Sequence, residues 1–216
     1  MKNKVLIMVS GGIDSVGVAY IVLTDPKYSN FDVHLHHLNL INIERRSEAE
    51  YSSFKNVIKY FEGEGYKFQY SLSTHEYDFM KNHFMWDLDI VWFMAGVICQ
   101  NDHSITHIAT GRTKSDTLNF GEAVIERRQR GEKIFEDLVK SKLRVEIPQF
   151  LSVVDNMMKK DIMQLLPKSL LFFTWSCRNP VLRDQVYRMC GQCVTCKEIA
   201  EIERDPENET RNSKSI

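Results

Sequence analysis

Two groups of residues in this sequence have types and spacings that could do chemistry. Near the amino terminus, the stretch Ser-Gly-Gly-Ile-Asp-Ser at Ser10–Ser15 follows a short apolar run and precedes a helical pattern. Near the carboxyl terminus, Cys177, Cys190, Cys193 and Cys196 are separated by twelve, two and two residues. The first group indicates a phosphate site, and the second indicates a metal site.

The amino-terminal loop has the composition of an anion-binding turn. Its adjacent glycines let backbone N–H groups approach an anion closely, Ser10 and Ser15 add hydroxyl donors, and the following helix adds partial positive charge. The loop lacks the Gly-Lys-Ser/Thr ending of a Walker A loop and the spacing of a Rossmann fingerprint. An ordinary turn between a strand and a helix is the alternative interpretation.

The four carboxyl-terminal cysteines are spaced so that their thiolates can face one ion. Four thiolates form a closed tetrahedral Zn²⁺ site, which has no open coordination position and is therefore expected to be structural. An iron–sulfur cluster also takes four thiolates and is one alternative, and a chance grouping is the other. The fifth cysteine, Cys99, lies in an apolar helical pattern and is predicted to be a buried core residue.

Alternating strands and helices must position these two groups. Apolar strands that alternate with helices predict an α/β fold with a doubly wound parallel sheet, in which ligands bind at the carboxyl ends of the strands. By position, Leu38 and Gly111 are then expected near a bound ligand. Strands are predicted at Val5–Val9, Val33–Leu40, Tyr66–Leu72 and Thr106–Thr110, and helices at Ser15–Thr24, Ser47–Phe61, Leu88–Ile98, Phe120–Leu143 and Met157–Leu166.

Composition limits the classes of partner. The 216 residues are 43% hydrophobic, and 28 Lys and Arg nearly balance 29 Asp and Glu, so no overall charge favours nucleic acid or a membrane surface. No apolar run approaches the length of a membrane helix. We expect a cytoplasmic protein with reduced cysteines, divided into an α/β domain with the phosphate loop over 1–150, a small helical zinc-binding region over 151–203 and a flexible tail over 204–216.

The loop resembles the pyrophosphate loop of the PP-loop ATP-pyrophosphatase superfamily, which has an adenine nucleotide alpha hydrolase-like fold. These enzymes cleave ATP between its α and β phosphates, adenylate an acceptor oxygen, and then displace AMP with a nitrogen or sulfur nucleophile. The resemblance implies that the aspartate of the loop assists a Mg²⁺ ion. The residues implied to bind ATP are Ser10, Gly11, Gly12, Ile13, Asp14, Ser15, Leu38, Gly111 and Arg112.

The loop together with the ending Cys-Gly-Gln-Cys-Val-Thr-Cys resembles the 7-cyano-7-deazaguanine synthase family. That family converts 7-carboxy-7-deazaguanine and ammonia to the nitrile with ATP and a structural zinc, releasing AMP and pyrophosphate. Three further stretches carry the resemblance, namely "ERRSEAE" from Glu44, "MKKDI" with Lys159, and "TWSC" from Thr174. The implied catalytic residues are Asp14 and Lys159, the substrate contacts are Arg46, Glu50, Lys114 and Asp116, and the zinc ligands are Cys177, Cys190, Cys193 and Cys196.

The sequence departs from this family after the fourth strand. The stretch from Gly111 keeps Asp116 but has no counterpart of the family's Tyr-Pro-Asp-Cys-Arg segment. The fold and the ATP chemistry are expected to survive this change, whereas the substrate stays open. The expected partners are a small-molecule substrate and ammonia, with a homodimer implied by the resemblance and no direct nucleic-acid partner. The alternatives are an amide product, a tRNA base as substrate, and an inactive ATP-binding relative.

Overall fold

Short apolar runs form the strands of one parallel sheet. The computed structural model describes residues 3–79, 86–140 and 146–205. All strand pairs in this sheet are parallel, and the spatial order is β3-β2-β1-β4-β5. This arrangement confirms the predicted α/β fold class. The strands are β1 at Asn3–Met8, β2 at Phe31–Ile41, β3 at Gln69–Glu76, β4 at Ile105–Ala109 and β5 at Gln149–Phe150.

Helices cover both faces of the sheet. One face packs against α1, Ile13–Thr24, and α2, Ser47–Gly63, and the other face packs against α3, Asp87–Asn101, and α5, Glu122–Val139. The chain moves outward from β1 through β2 to β3 and then returns to place β4 on the other side of β1. The strand order therefore reverses between β1 and β4, which is where open α/β sheets bind their ligands.

The predicted helix Phe120–Leu143 corresponds to α5, which covers Glu122–Val139. Helix α4 covers Lys114–Phe120, and α5 starts after a turn at Gly121, whose φ of +60° favours glycine. The predicted strand Tyr66–Leu72 begins three residues later, at Gln69, and continues to Glu76. Pairing with β2 determines where β3 begins and ends, and the propensity of a single segment does not predict which residues will pair. Residues 141–145 lie outside the described part of the chain.

The carboxyl-terminal region shares its core with the α/β sheet. Ile162, Leu166, Leu170 and Ile199 belong to the same buried cluster as the apolar residues of α1 and α2. The remaining elements are α6 at Lys159–Leu165, α7 at Lys168–Phe173, β6 at Val181–Arg183, β7 at Val186–Arg188 and α8 at Val194–Arg204, besides a short 3-10 helix at Pro26–Tyr28.

Strands β6 and β7 form an antiparallel hairpin between the first and second cysteines of the carboxyl-terminal group. Its two turn residues, Asp184 and Gln185, have φ of +50° and +62°, as a two-residue hairpin turn of the primed type requires. Helix α8 extends to Arg204, the first residue of the predicted tail, and residues 206–216 lie outside the described chain. Within the described ranges, no helix is long and apolar enough to span a membrane.

Candidate functional site

The loop after β1 is held in shape by its own serine hydroxyls. Ser10 Oγ and Ser15 Oγ lie 3.1 Å apart, and the Gly12 N–H donates to Ser10 Oγ at 3.3 Å. The Ile13 N–H donates to Ser176 Oγ at 3.1 Å. These two N–H groups lie at the start of α1 and donate to serine hydroxyls. An anion that enters the loop would replace those hydroxyl oxygens as the acceptor.

Two glycines let other backbone segments approach this loop. Gly11 has a φ of +89°, and a Cβ there would lie 2.8 Å from Ser53 Oγ and 3.0 Å from the Glu50 carbonyl oxygen. A Cβ on Gly111, after β4, would lie 2.6 Å from the Ser15 backbone nitrogen. The β4 end therefore packs directly against the first turn of α1, and Gly111 supports the loop by close packing.

Lys159 connects this loop to the carboxyl-terminal region. Its Nζ donates to Asp14 Oδ2 at 2.5 Å and lies 3.8 Å from Glu198 Oε2, and the lysine side chain is only 4% exposed. The Lys159 N–H donates to Ser115 Oγ at 2.9 Å, which fixes the start of α6 against α4. A buried ammonium group thus lies beside the loop, between carboxylates from α1 and α8.

Burial affects the pKa of two carboxyl groups of the site, Asp14 and Glu50. Burial raises the pKa of Asp14, and the neighbouring Lys159 ammonium opposes this rise. Burial also raises the pKa of Glu50, against the lowering effect of Arg46. Asp14 Oδ1 is buried without a hydrogen-bond partner among the described residues. That oxygen is available to a cation, and carboxylate oxygens are the ligands that Mg²⁺ prefers in proteins.

These residues line one cleft with two walls. The loop wall consists of Ser10, Gly12 and Asp14. The cleft is partly open to solvent. The cysteine wall consists of Trp175, Ser176, Arg178, Val194, Thr195 and Glu198, and the rest of the lining is Arg46, Glu50, Asp116 and Lys159.

The four carboxyl-terminal cysteines meet behind the cysteine wall. Their sulfur atoms all lie within 4.8 Å of one another, and Cys190 Sγ is 3.9 Å from Cys196 Sγ. The backbone N–H of Cys190 donates to Cys177 Sγ at 3.2 Å, and that of Cys193 donates to Cys190 Sγ at 3.3 Å. Although burial acts to raise the Cys190 thiol pKa, N–H groups of Gln192 and Cys193 help lower it to about 6.

The sulfur spacing fits a single tetrahedral ion. Zn–S bonds of about 2.3 Å place four tetrahedral sulfurs about 3.8 Å apart, close to the 3.9 Å between Cys190 Sγ and Cys196 Sγ. A four-iron cluster binds each thiolate at a different iron and needs wider spacing. The donor set, the spacing and the backbone N–H donors therefore fit one thiophilic ion such as Zn²⁺, held by all four cysteines.

The predicted site residues do not all reach this cleft. Leu38 is buried in an apolar cluster with Leu40 and Ile90. Arg112 Nε donates to Asp155 Oδ2 at 2.6 Å and its Nη1 donates to Glu132 Oε1 at 2.8 Å, so its guanidinium faces carboxylates outside the cleft lining. Lys114 is exposed and is also absent from the lining. These three residues do not contact the cleft.

Asp116 and Arg46 do line the cleft but have protein partners. Asp116 Oδ2 accepts from the Thr113 N–H and hydroxyl in a capping box at the start of α4. Arg46 Nη1 lies 2.9 Å from Glu50 Oε1, its Nη2 contacts Asp87, and its Nε lies 2.7 Å from Glu44 Oε2 without hydrogen-bond alignment. Carboxylates of the protein therefore already surround the Arg46 guanidinium.

Sequence reasoning missed the cysteine wall. Ser176 and Arg178 flank Cys177, and Thr195 and Glu198 are three residues apart on α8, which also carries Cys196. Residues next to ligands are held rigid together with a metal centre, so proximity to the cysteines was the available signal. The direction in which these side chains point depends on tertiary packing and could not be predicted from the sequence.

No known family model and no curated protein matches this sequence. Among solved structures, the chain is similar to the U34-tRNA thiolase NcsA from Methanococcus maripaludis with its 4Fe-4S cluster, with a TM-score of 0.51 and 16% sequence identity. The match covers 97% of this chain and 66% of that chain, so the protein spans about two thirds of the length of this neighbour. At this identity, the likeness shows a shared α/β fold.

Proposed function

We propose that this protein is an ATP-dependent enzyme that adenylates an acceptor oxygen and releases pyrophosphate. The observation that carries the proposal is the pairing of Lys159 Nζ with Asp14 Oδ2 at 2.5 Å beside the Ser10–Ser15 loop. The pair lies where the strand order of the sheet reverses, which is the usual ligand position in such folds. The motif resembles the PP-loop, and the geometry supplies the cation and the carboxylate that this chemistry uses.

The charges of the cleft support entry of the nucleotide together with a divalent cation. The lining contains the carboxylates of Asp14, Glu50, Asp116 and Glu198 and the cations Arg46, Lys159 and Arg178. Since carboxylates outnumber cations, a triphosphate alone would meet repulsion. The unpartnered Asp14 Oδ1 is the oxygen that would hold Mg²⁺. Bound Mg²⁺ would neutralise phosphate charge.

The residues of the chain act by positioning and charge stabilisation. In the proposed reaction an acceptor oxygen attacks the α-phosphorus, and the bond to the bridging oxygen of pyrophosphate breaks. The loop N–H groups of Gly12 and Ile13 and the Lys159 ammonium would donate to the departing oxygens, where negative charge increases. No protein nucleophile is required, because the acceptor supplies the attacking atom.

For the acceptor, we propose the carboxylate of 7-carboxy-7-deazaguanine or a close relative, with ammonia as the nucleophile. Ammonia attacks the acyl-adenylate to give an amide and AMP, and a second adenylation of the amide oxygen followed by loss of AMP gives the nitrile. The support is the joint presence of the Ser10–Ser15 loop, the Thr174–Cys177 stretch and a four-cysteine group whose spacing fits zinc. Zinc would stabilise the cysteine wall and take no part in the reaction.

Modification of a tRNA base is the second candidate. The observation in its favour is the shared fold with a U34-tRNA thiolase. The sulfur atoms within 4.8 Å of one another fit one ion better than the 4Fe-4S cluster of that neighbour, which favours the first candidate. Metal analysis of the purified protein separates the two candidates. For the ligase we expect zinc, with neither iron nor inorganic sulfide.

The decisive experiment supplies the purified protein with Mg²⁺, ATP, ammonium and 7-carboxy-7-deazaguanine, and follows AMP, pyrophosphate and the product mass. The expected result is acid-dependent AMP formation with a nitrile product. AMP formation that depends on unmodified tRNA would support the second candidate. Failure to form AMP with either acceptor, despite a folded and metal-loaded protein, would contradict ATP-dependent adenylation.

A further inference from the structure

Three cations line the cleft, and their partners differ. Lys159 contacts Asp14 and lies near Glu198, and Arg46 is surrounded by Glu44, Glu50 and Asp87. An anion that binds either of these cations must compete with carboxylates already in place. The third cation, Arg178, is different in this respect.

Arg178 is exposed at the cleft and forms no hydrogen bond or ion pair with another residue in the described parts of the chain. Its charge reaches Glu50, whose pKa is raised by burial and lowered by Arg46 and Arg178. The Arg178 guanidinium therefore faces the cleft near Glu50 with its donors available. A guanidinium presents paired N–H groups that match two oxygens of one phosphate.

The backbone next to Arg178 is fixed to the loop wall. The Trp175 N–H donates to the Gly11 carbonyl oxygen at 2.8 Å, and this contact stays in place when an anion replaces Ser176 Oγ as the acceptor of the Ile13 N–H. Arg178 also follows Cys177, one of the four clustered cysteines. Two anchors, the loop on one side and the cysteine group on the other, thus hold the residue at the edge of the Ser10–Ser15 loop.

We propose that Arg178 binds the β and γ phosphates of ATP and remains bound to the pyrophosphate that they become. The inference rests on the proposed function and adds a residue that belongs to the cysteine wall. Arg178 would bind the β and γ phosphates at the mouth of the cleft, while the Gly12 and Ile13 N–H groups donate to them from the loop. Formation of the cysteine centre would then be required for phosphate affinity as well as for folding.

The test compares Arg178→Gln with Arg183→Gln. Arg183 is also exposed, lies on the β6–β7 hairpin and is outside the cleft lining, so it controls for loss of one positive charge from the same region. Isothermal titration of the metal-loaded proteins with Mg²⁺-pyrophosphate and separately with AMP measures the two halves of the nucleotide. Zinc content and thermal midpoint show whether each variant is folded.

We expect Arg178→Gln to weaken pyrophosphate binding by about 10-fold or more, as loss of charge-assisted hydrogen bonds predicts. AMP binding should change less than about 2-fold, and Arg183→Gln should bind both ligands as the wild type does. Arg178→Lys should recover part of the affinity, because the charge returns without the paired donors.

Three results would overturn the inference in distinguishable ways. Equal pyrophosphate affinity in wild type and in Arg178→Gln would remove Arg178 from the phosphate site while leaving the proposed function intact. A parallel loss of AMP and pyrophosphate binding in folded Arg178→Gln would show a general disturbance of the cleft. If the folded wild type binds neither pyrophosphate nor ATP, the proposed function itself fails, and the assignment of Arg178 fails with it.

Discussion

The two walls of the cleft are built in different ways. The loop wall follows a central strand, and hydrogen bonds among Ser10, Gly12 and Ser15 together with close packing around Gly11 hold it. The residues of the cysteine wall lie on both sides of a two-stranded hairpin whose residues are mostly exposed, and the four sulfur atoms behind the wall lie within 4.8 Å of one another. The loop wall takes its shape from the sheet, whereas we expect the cysteine wall to take its shape from a bound ion.

The largest effect is expected from Cys193→Ser, which removes one of the four proposed zinc ligands. Structural zinc contributes on the order of 10 kcal/mol in small sites, so the variant should lose its zinc and the order of the cysteine wall. Cys99→Ala is the matched control. Cys99 is a buried cysteine that lies far in sequence from the four clustered cysteines, so its replacement should leave the zinc content unchanged. Elemental analysis measures the zinc content of each variant, and the thermal midpoint measures its stability. Full zinc content in Cys193→Ser would exclude Cys193 as a ligand.

The next largest effect is expected from Lys159→Met, which tests the contact between the walls. The variant removes the buried ammonium beside Asp14 and should lower the rate of AMP formation by about 10²–10³, as loss of a positioned transition-state donor does. Lys160→Met is the neighbouring control, since Lys160 Nζ lies 2.7 Å from Asp205 Oδ2 outside the cleft lining, and its rate should change little. Wild-type turnover in a folded Lys159→Met would remove Lys159 from the mechanism.

Gly11→Ala tests the packing of the loop wall. The new Cβ would combine a φ of +89° with a 2.8 Å contact to Ser53 Oγ, so the free energy of unfolding should fall by about 2–3 kcal/mol. Gly65→Ala separates the two causes, because Gly65 has a φ of +79° and no atom within 4 Å of the added Cβ, and should cost about 1–2 kcal/mol. If urea denaturation gives the same loss of unfolding free energy for Gly11→Ala and Gly65→Ala, then the close packing at Gly11 adds nothing to the cost of the new Cβ.

The smallest effect is expected from Arg112→Gln. Its guanidinium binds Asp155 and Glu132 and is 31% exposed, so the loss of these partly exposed ion pairs should lower the free energy of unfolding by only about 1 kcal/mol. The KM for ATP should stay within about 2-fold of the wild type. A clear rise in that KM, measured by AMP release, would return Arg112 to the nucleotide site for which the sequence proposed it.

The sequence was most informative where chemistry depends on neighbours in the chain. Ser10–Ser15 and the close spacing of Cys190, Cys193 and Cys196 imply local geometries, and the structure places the loop at the reversal of the strand order and the sulfurs together. The roles of these residues as ATP and metal ligands stay predictions. The predicted helix Phe120–Leu143 matches α5 as one element, whereas the seven-residue helix α4 before Gly121 was not predicted, because so short a helix has little periodic signal.

The contacts that complete the cleft could not be predicted from the sequence. Lys159 and Asp14 are 145 residues apart along the chain, and Arg112 was a candidate cation until Asp155 and Glu132 were found around it. Ionic partners depend on which helices pack together, and the composition of a segment does not determine that packing. The availability of Arg178 is a property of the same kind.

The sequence by itself determined the parallel α/β fold, the composition of the Ser10–Ser15 loop and the four cysteines that can share one ion. These follow from periodicity and short spacing, which act within one or two elements. The tertiary structure decided that the cysteine wall faces the loop, that Lys159 lies between Asp14 and Glu198, and that Arg112 is turned away. Long-range packing fixes side-chain direction and charge partners, so only the folded chain shows which cations of the cleft already have carboxylate partners.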